Sequence, residues 1–147
     1  MTTRRYFAYG SNIDEAQMVF RCPKSKLIGL SCVSGYRFFI NERGVASIEK
    51  SLNHVVYGVL WEIGKEDEES LDRYEGVANG LYDKLTIQVG YRDSAAVDAL
   101  VYIASSSKRG KARPGYMEKI MLAAKRFSFP AQTIEELKSC LTDEQST

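Results

Sequence analysis

The chain has 147 residues, of which 44% are hydrophobic and 27% are charged, and its net charge is +1. This length and composition are typical of one folded domain, and they exclude disordered, collagen-like and low-complexity chains. The near balance of charges argues against general nucleic-acid or membrane-surface binding, and no apolar run reaches the roughly 20 residues of a membrane-spanning helix.

The first two thirds of the chain are rich in strand signals. An aromatic run at 4–9 predicts a strand, which Gly10 ends, and Asn12 is the predicted N-cap of a helix that ends at Cys22 and Pro23. Further strands are predicted at 27–33 and 36–41, separated by Ser34-Gly35, and at 45–48 and 54–63.

The remainder of the chain contains most of the predicted helices. An acidic helix is predicted at 66–74 and ends before Gly76, strands follow at 85–91 and 96–104, and helices follow at 116–127 and 130–141. This order predicts an α+β fold with a strongly curved or barrel-like, antiparallel-rich sheet. We expect a single domain over 1–141 and a polar C-terminal tail over 142–147.

Three cysteines and one histidine limit the chemistry of the chain. Cys22, Cys32 and Cys140 show no CxxC spacing, which indicates free thiols in a reducing compartment. Together with the absence of a signal-peptide pattern at the N-terminus, this favours a cytoplasmic location. His54 has no carboxylate nearby in sequence and is expected to be structural, and no ligand spacing supports a metal site, so we expect no metal and no cofactor.

The segment Tyr6-Phe7-Ala8-Tyr9-Gly10-Ser11-Asn12 places a tight turn between a strand and a helix. Glycine permits close approach to a ligand, and backbone N–H groups at a helix start attract anions. A simple capped connection between strand and helix is the alternative interpretation.

Glu75 stands at the C-terminal end of the predicted acidic helix, next to Gly76. The helix dipole is negative there, so a partly buried glutamate should have a raised pKa, which suits a general acid/base near neutral pH. A solvated glutamate at a helix end is the alternative.

The third candidate segment joins a basic loop to the start of a helix. Lys108, Arg109, Lys111 and Arg113 precede Pro114-Gly115-Tyr116, and a solvated loop is the simpler interpretation of this charge than a nucleic-acid patch. Tyr116 begins the helix and could direct its hydroxyl into a cleft, or it could be a packing tyrosine.

Together these segments resemble the γ-glutamylcyclotransferase-like family, which includes γ-glutamylcyclotransferases and γ-glutamylamine cyclotransferases. The resemblance rests on the N-terminal YGSN segment, on a central block and on a C-terminal block, and it covers roughly residues 5–137. The central block comprises Val56-Tyr57-Gly58-Val59-Leu60-Trp61, Leu71-Asp72, Tyr74-Glu75-Gly76-Val77 and Gly80-Leu81-Tyr82, and the C-terminal block is Pro114-Gly115-Tyr116.

The resemblance implies a small mixed, antiparallel-rich β-barrel flanked by helices. It also implies cleavage of a γ-glutamyl amide by the substrate's own α-amine, which releases 5-oxoproline and a free amine or amino acid. Glu75 matches the acid/base glutamate of the family, Tyr9, Gly10, Ser11 and Asn12 match the loop that holds the γ-glutamyl group, and Tyr116 matches a substrate contact.

Several alternatives stay open at this point. The leaving amine is not identified by the sequence, and 108–113 could contact an anionic leaving group or nothing. A non-catalytic protein that keeps the γ-glutamyl pocket is the main alternative function, and an RNA-binding accessory protein is a distant one. The expected partner is a small-molecule γ-glutamyl substrate, with no nucleic acid and no membrane, and the chain is expected to be a monomer or homodimer.

Overall fold

The computed structural model describes residues 2–91 and 96–145, and for 141–145 it describes the backbone only. Helices and strands alternate irregularly along the chain. The strands are β1 (Arg4–Ala8), β2 (Lys26–Ile40), β3 (Ala46–Ile63), β4 (Tyr82–Val89) and β5 (Val97–Ala104), and the helices are α1 (Glu15–Arg21), α2 (Lys65–Tyr74), α3 (Tyr116–Arg126) and α4 (Ala131–Gln145). Short 3₁₀ turns occupy Ser11–Ile13 and Val77–Asn79.

The five strands form one mixed sheet in the order β2-β3-β1-β5-β4. The β1–β5 pair is parallel and the other three pairs are antiparallel, which confirms the antiparallel-rich α+β class. The sheet is not closed, so the expected barrel is too strong a description. Its two edges approach each other where Cys32 of β2 exchanges backbone hydrogen bonds with Gly90 after β4.

Strands β2 and β3 form one long hairpin, whereas the sequence predicts each of them as two shorter strands. Ser34 pairs with Val55 and Tyr36 pairs with Lys50, so the ladder continues across an irregularity in which 51–54 lie opposite Gly35 alone. The turn signals in the sequence therefore mark an irregularity in the hairpin and not the end of a strand. The extra residues of β3 form a bulge, and strand pairing resumes beyond it.

Two clusters of buried residues lie against this sheet. The larger one includes Ile13, Met18, Leu71, Ile120 and Ala124, which pack helices onto the strands. The second contains residues that lie on the strands or directly beside them, such as Phe7, Leu60 and Val101, as expected for a strongly curved sheet.

The predicted amphipathic face of α3 is confirmed, since Met117, Ile120, Met121 and Ala124 are all buried. Helix α4 extends to Gln145, beyond the predicted start of the polar tail, and 146–147 lie outside the described residues. Over the described part of the chain, none of the helices is both long enough and apolar enough to cross a membrane.

Candidate active site

The segments singled out in the sequence meet at one cavity of about 480 Å³. It lies where the loop after β1 meets the end of α2, the turn between β2 and β3, and the start of α3. All six predicted site residues line it: Tyr9, Gly10, Ser11, Asn12, Glu75 and Tyr116.

Glu75 reaches this cavity because of how α2 ends. Its backbone N–H donates to the carbonyl of Leu71 at 2.8 Å, and the next residue, Gly76, adopts the left-handed conformation that ends the helix. Burial raises the pKa of Glu75 to about 7, against an opposing effect of Arg21 and Arg43. The expectation of a raised proton affinity is met, although burial is its main cause.

Asn12 is the centre of a hydrogen-bond network beneath the cavity. Its amide donates to the Tyr6 hydroxyl at 3.0 Å, and its side-chain oxygen accepts from Gln17 at 2.9 Å and from Arg21 at 3.0 Å. Its backbone carbonyl accepts from the Trp61 indole. With these groups engaged inside the protein, Asn12 is suited to fixing the loop, and the predicted N-cap role falls instead to Asp14, whose carboxylate accepts from the Gln17 backbone N–H at 2.9 Å.

Gly10 makes close packing possible between the loop and α3. Its φ is −110°, so the turn does not require a left-handed residue. An added Cβ would instead lie 3.0 Å from the Tyr116 hydroxyl and 3.2 Å from the Ala46 side chain. The need for glycine here is therefore a matter of space at the cavity wall.

Tyr9 and Tyr116 are both held by backbone partners. The Tyr9 hydroxyl donates to the carbonyl of Tyr102 at 2.5 Å, and the Tyr116 hydroxyl accepts from the Ala46 N–H at 3.0 Å. On the other side of Ala46, its carbonyl accepts from the Tyr82 hydroxyl at 2.8 Å. These bonds fix three phenol rings around the cavity.

Burial raises the pKa of each of four lining tyrosines, Tyr6, Tyr9, Tyr82 and Tyr116, and the negative charge of Glu75 raises each further. These phenols therefore stay protonated at neutral pH. Glu75 is the one acidic side chain among the described residues that line the cavity, and its pKa is the one suited to proton exchange near pH 7.

Sequence reasoning missed several lining residues. Tyr6 and Tyr82 stand inside the quoted motifs but were given no role. The cavity is also lined by residues outside the quoted motif residues, which only the fold brings together. They are Gln17 and Arg21 of α1, Arg43 of the β2–β3 turn, and Lys119, three residues after Tyr116 in α3.

The basic loop divides into two parts. Arg113 lines the cavity, whereas Arg109 pairs with Glu49 and lies over the Phe39 ring at 4.1 Å. Lys108 and Lys111 are exposed and do not line the cavity. The basic loop as a whole is therefore not a continuous patch.

Cysteine and histidine side chains lie away from the cavity in the described part of the chain. Burial raises the pKa of the Cys22 thiol to about 12, and it raises that of Cys32 as well. His54 is exposed and lies 2.8 Å from the Ser51 hydroxyl in the irregular segment of β3. Across 2–91 and 96–140, no group of three or more His, Cys, Asp or Glu residues is arranged to hold a metal ion.

Comparison with known proteins finds relatives that share one name. The γ-glutamylcyclotransferase of Mus musculus is 28% identical over 144 residues, covering 91% of this chain and 77% of the relative, and that of Homo sapiens is 27% identical over the same coverage. A solved structure named γ-glutamyl cyclotransferase superposes with a TM-score of 0.87 at 25% identity, covering 93% of this chain and 87% of the other.

A family model agrees with these relatives. The model of the AIG2-like family matches residues 55–137, a stretch that begins in β3, contains Glu75 and Tyr116, and ends in α4. The chain therefore belongs to the AIG2-like family, with γ-glutamylcyclotransferases among its relatives, as its sequence motifs imply.

Proposed function

We propose that this protein is a cyclotransferase that cleaves a γ-glutamyl amide without water. The neutral α-amine of the substrate attacks its own γ-carbonyl carbon and forms the new ring C–N bond. The bond from that carbon to the amide nitrogen then breaks. The products are 5-oxoproline and a free amine or amino acid.

Glu75 is the proposed general acid/base. Its carboxylate takes the proton that the attacking amine loses, and it later gives a proton to the leaving nitrogen, so the enzyme is unchanged after one turnover. The observation that carries this proposal is the position of a carboxylate with a pKa of about 7 in a cavity lined by tyrosines that stay protonated. A carboxyl with a pKa near the working pH can both accept a proton from the substrate and return one to it.

The loop Gly10-Ser11-Asn12 and Tyr116 are the proposed binding wall for the γ-glutamyl group. Their positions are fixed by the Asn12 network and by the bond between Ala46 and Tyr116, so the wall is formed before substrate arrives. A preorganised wall favours five-membered ring closure, because it holds the amine near the γ-carbonyl. Each donor aimed at the developing oxyanion would contribute roughly 3 kcal/mol.

The relatives support the same reaction class, because the mouse protein, the human protein and the solved structure described above are all named γ-glutamylcyclotransferases. The alternative is a protein that binds γ-glutamyl compounds in this cavity without turning them over. The raised pKa of Glu75 favours catalysis, since a site built only to bind a γ-glutamyl group gains nothing from a carboxylate that titrates near pH 7.

A panel of γ-glutamyl amino acids and γ-glutamylamines tests the proposal. Each compound is incubated with the protein, and 5-oxoproline and the free amine are quantified by chromatography. We expect stoichiometric release of both from at least one class. Tight binding by calorimetry with no release from any compound would instead establish the binding-only alternative.

A further inference from the structure

The cavity has an excess of positive charge that the protein does not neutralise. Four basic side chains line it, and Glu75 is the one acidic residue among the described lining residues. None of the ion pairs found in the described part of the chain involves these four. The four are Arg21, Arg43, Arg113 and Lys119.

Four arginines outside the cavity form ion pairs. Arg4, Arg37, Arg109 and Arg126 each pair with a carboxylate at the surface. The four cations of the cavity differ from these four arginines in that their polar contacts are to neutral groups.

Arg43 and Arg113 project from two loops that are fastened together. The Arg113 backbone N–H donates to the carbonyl of Gly44 at 3.0 Å, and the Arg113 Nε donates to the carbonyl of Arg43 at 2.9 Å. The turn between β2 and β3, which carries Arg43, is fixed by the buried Asn41. The side-chain oxygen of Asn41 accepts a hydrogen bond from the Arg43 backbone N–H at 2.9 Å. The Arg113 side chain is therefore held against the turn that carries Arg43, and both residues are exposed where they line the cavity.

The other two cations are held by neutral partners. Arg21 donates to Asn12 and lies over the Tyr74 ring at 4.4 Å, and Lys119 donates to the side-chain oxygen of Gln17 at 2.9 Å. These contacts position the charges without cancelling them. The positive charges of Arg21 and Arg43 also oppose the effect of burial on the pKa of Glu75.

A charge balance for the occupied site follows from these residues. The γ-glutamyl group brings one carboxylate, and Glu75 contributes at most one negative charge. Arg43, Arg113 and Lys119 are exposed at the mouth of the cavity. A leaving amine without an acidic group, or with a single carboxylate, would leave some of the four cations without an anionic partner in the substrate. A leaving group with two carboxylates supplies an anionic partner for each of them.

We propose that the preferred leaving group is a dicarboxylic amino acid, so that the substrate is a γ-glutamyl derivative of glutamate or aspartate. Arg43 and Arg113 determine this specificity by contacting the side-chain carboxylate of the leaving residue. The inference rests on the proposed cyclotransferase function and names the substrate class within it.

Two isosteric dipeptides test this inference. γ-Glutamyl-glutamate and γ-glutamyl-glutamine have nearly the same size and differ by one negative charge. We expect wild-type kcat/KM for 5-oxoproline release to be about tenfold higher for the glutamate derivative, the effect of one charge-assisted contact. In Arg43→Gln this preference should fall below about threefold, and in the Arg43→Gln/Arg113→Gln double variant it should disappear.

Lys111→Gln is the matched control, because Lys111 lies in the same basic loop, is exposed and does not line the cavity. It should keep the wild-type preference. Arg43→Gln removes no hydrogen bond from the loop framework, so its result stands even if the double variant loses stability. Thermal melts of all variants verify that they are folded.

The outcomes separate this inference from the proposed function. Equal kcat/KM for the two dipeptides, or a preference that survives in the folded double variant, would overturn the dicarboxylic specificity while leaving cyclotransferase activity established. If no compound releases 5-oxoproline, the proposed function fails, and calorimetry with the same two dipeptides decides the specificity. A tenfold tighter binding of γ-glutamyl-glutamate that requires Arg43 would support it, and equal affinities would refute it.

Discussion

The burial of Glu75 lowers the stability of the folded protein at neutral pH and gives the carboxyl a pKa suited to proton transfer. Its pKa of about 7 lies above the ordinary carboxyl value of 4.5 because burial disfavours the charged form. The folded state therefore binds this proton more tightly than the unfolded state does. The contribution of Glu75 to the free energy of unfolding is most favourable below pH 4.5, where the carboxyl is protonated in both states. It declines as the pH rises from 4.5 to 7. Above pH 7 the buried charge lowers the stability by a constant amount.

Glu75→Gln should consequently change the pH dependence of stability. Glutamine keeps the size of the side chain and carries no charge, so the cost above pH 7 disappears. We expect the variant to gain stability relative to wild type by about 3 kcal/mol on going from pH 4 to pH 8. Urea denaturation of both proteins at the two pH values measures this difference, and an unchanged difference would mean that Glu75 is well solvated.

Gly10 and Gly35 provide a matched pair of glycine substitutions. Gly10→Ala places a methyl group 3.0 Å from the Tyr116 hydroxyl in the cavity wall, whereas Gly35→Ala places one in open space at φ +84° outside the cavity. We expect Gly10→Ala to reduce 5-oxoproline release strongly with a small loss of stability. Gly35→Ala should cost roughly 1 kcal/mol of stability, because an alanine is strained there, and keep activity.

Thermal melts and initial rates for both variants make this comparison. Equal rate losses in the two, or a fully active Gly10→Ala, would show that the loop from Tyr9 to Asn12 is only a connection between strand and helix.

At the scale of secondary structure elements, the start of α1 is formed by two residues with different roles. The sequence assigns both helix capping and the binding loop to Asn12. Asp14 caps the helix, while Asn12 holds the loop through its network beneath the cavity. Asp14→Ala should cost about 1 kcal/mol of stability, the usual loss for an N-cap, with activity retained. Chemical denaturation and the 5-oxoproline assay check both halves, and a large loss of activity would place Asp14 in the binding machinery.

The elements also show what the sequence can and cannot predict. The ends of α2 and α3 follow from Gly76 and Gly115, so Glu75 and Tyr116 were correctly placed at helix ends. The long β2–β3 hairpin was predicted as four strands, because local turn signals do not reveal that pairing resumes beyond a bulge. Arg43 and Lys119 could not be predicted to line the same cavity, because their placement around it depends on tertiary packing alone.

Across the described part of the molecule, the cysteine thiols and the candidate site are separate. Cys22 is buried, Cys32 is partly buried, and none of the three cysteines lines the cavity that contains Glu75. Treatment with iodoacetamide, and separately with EDTA, should leave the rate of 5-oxoproline release unchanged, because the substrate supplies its own nucleophile. Loss of activity with EDTA that is restored by a divalent metal would contradict this expectation.

The central claim is that Glu75 transfers the proton in ring closure, and the most direct test is 5-oxoproline release by folded Glu75→Gln. Glutamine preserves size and hydrogen bonding but cannot accept the proton of the amine, so we expect turnover to fall by ~10²–10⁴-fold. Binding of the γ-glutamyl substrate, measured by calorimetry, should be largely retained. In the wild type, the rate should fall below pH 7 as Glu75 becomes protonated. Near-wild-type release of 5-oxoproline by Glu75→Gln would show that Glu75 is not the acid/base.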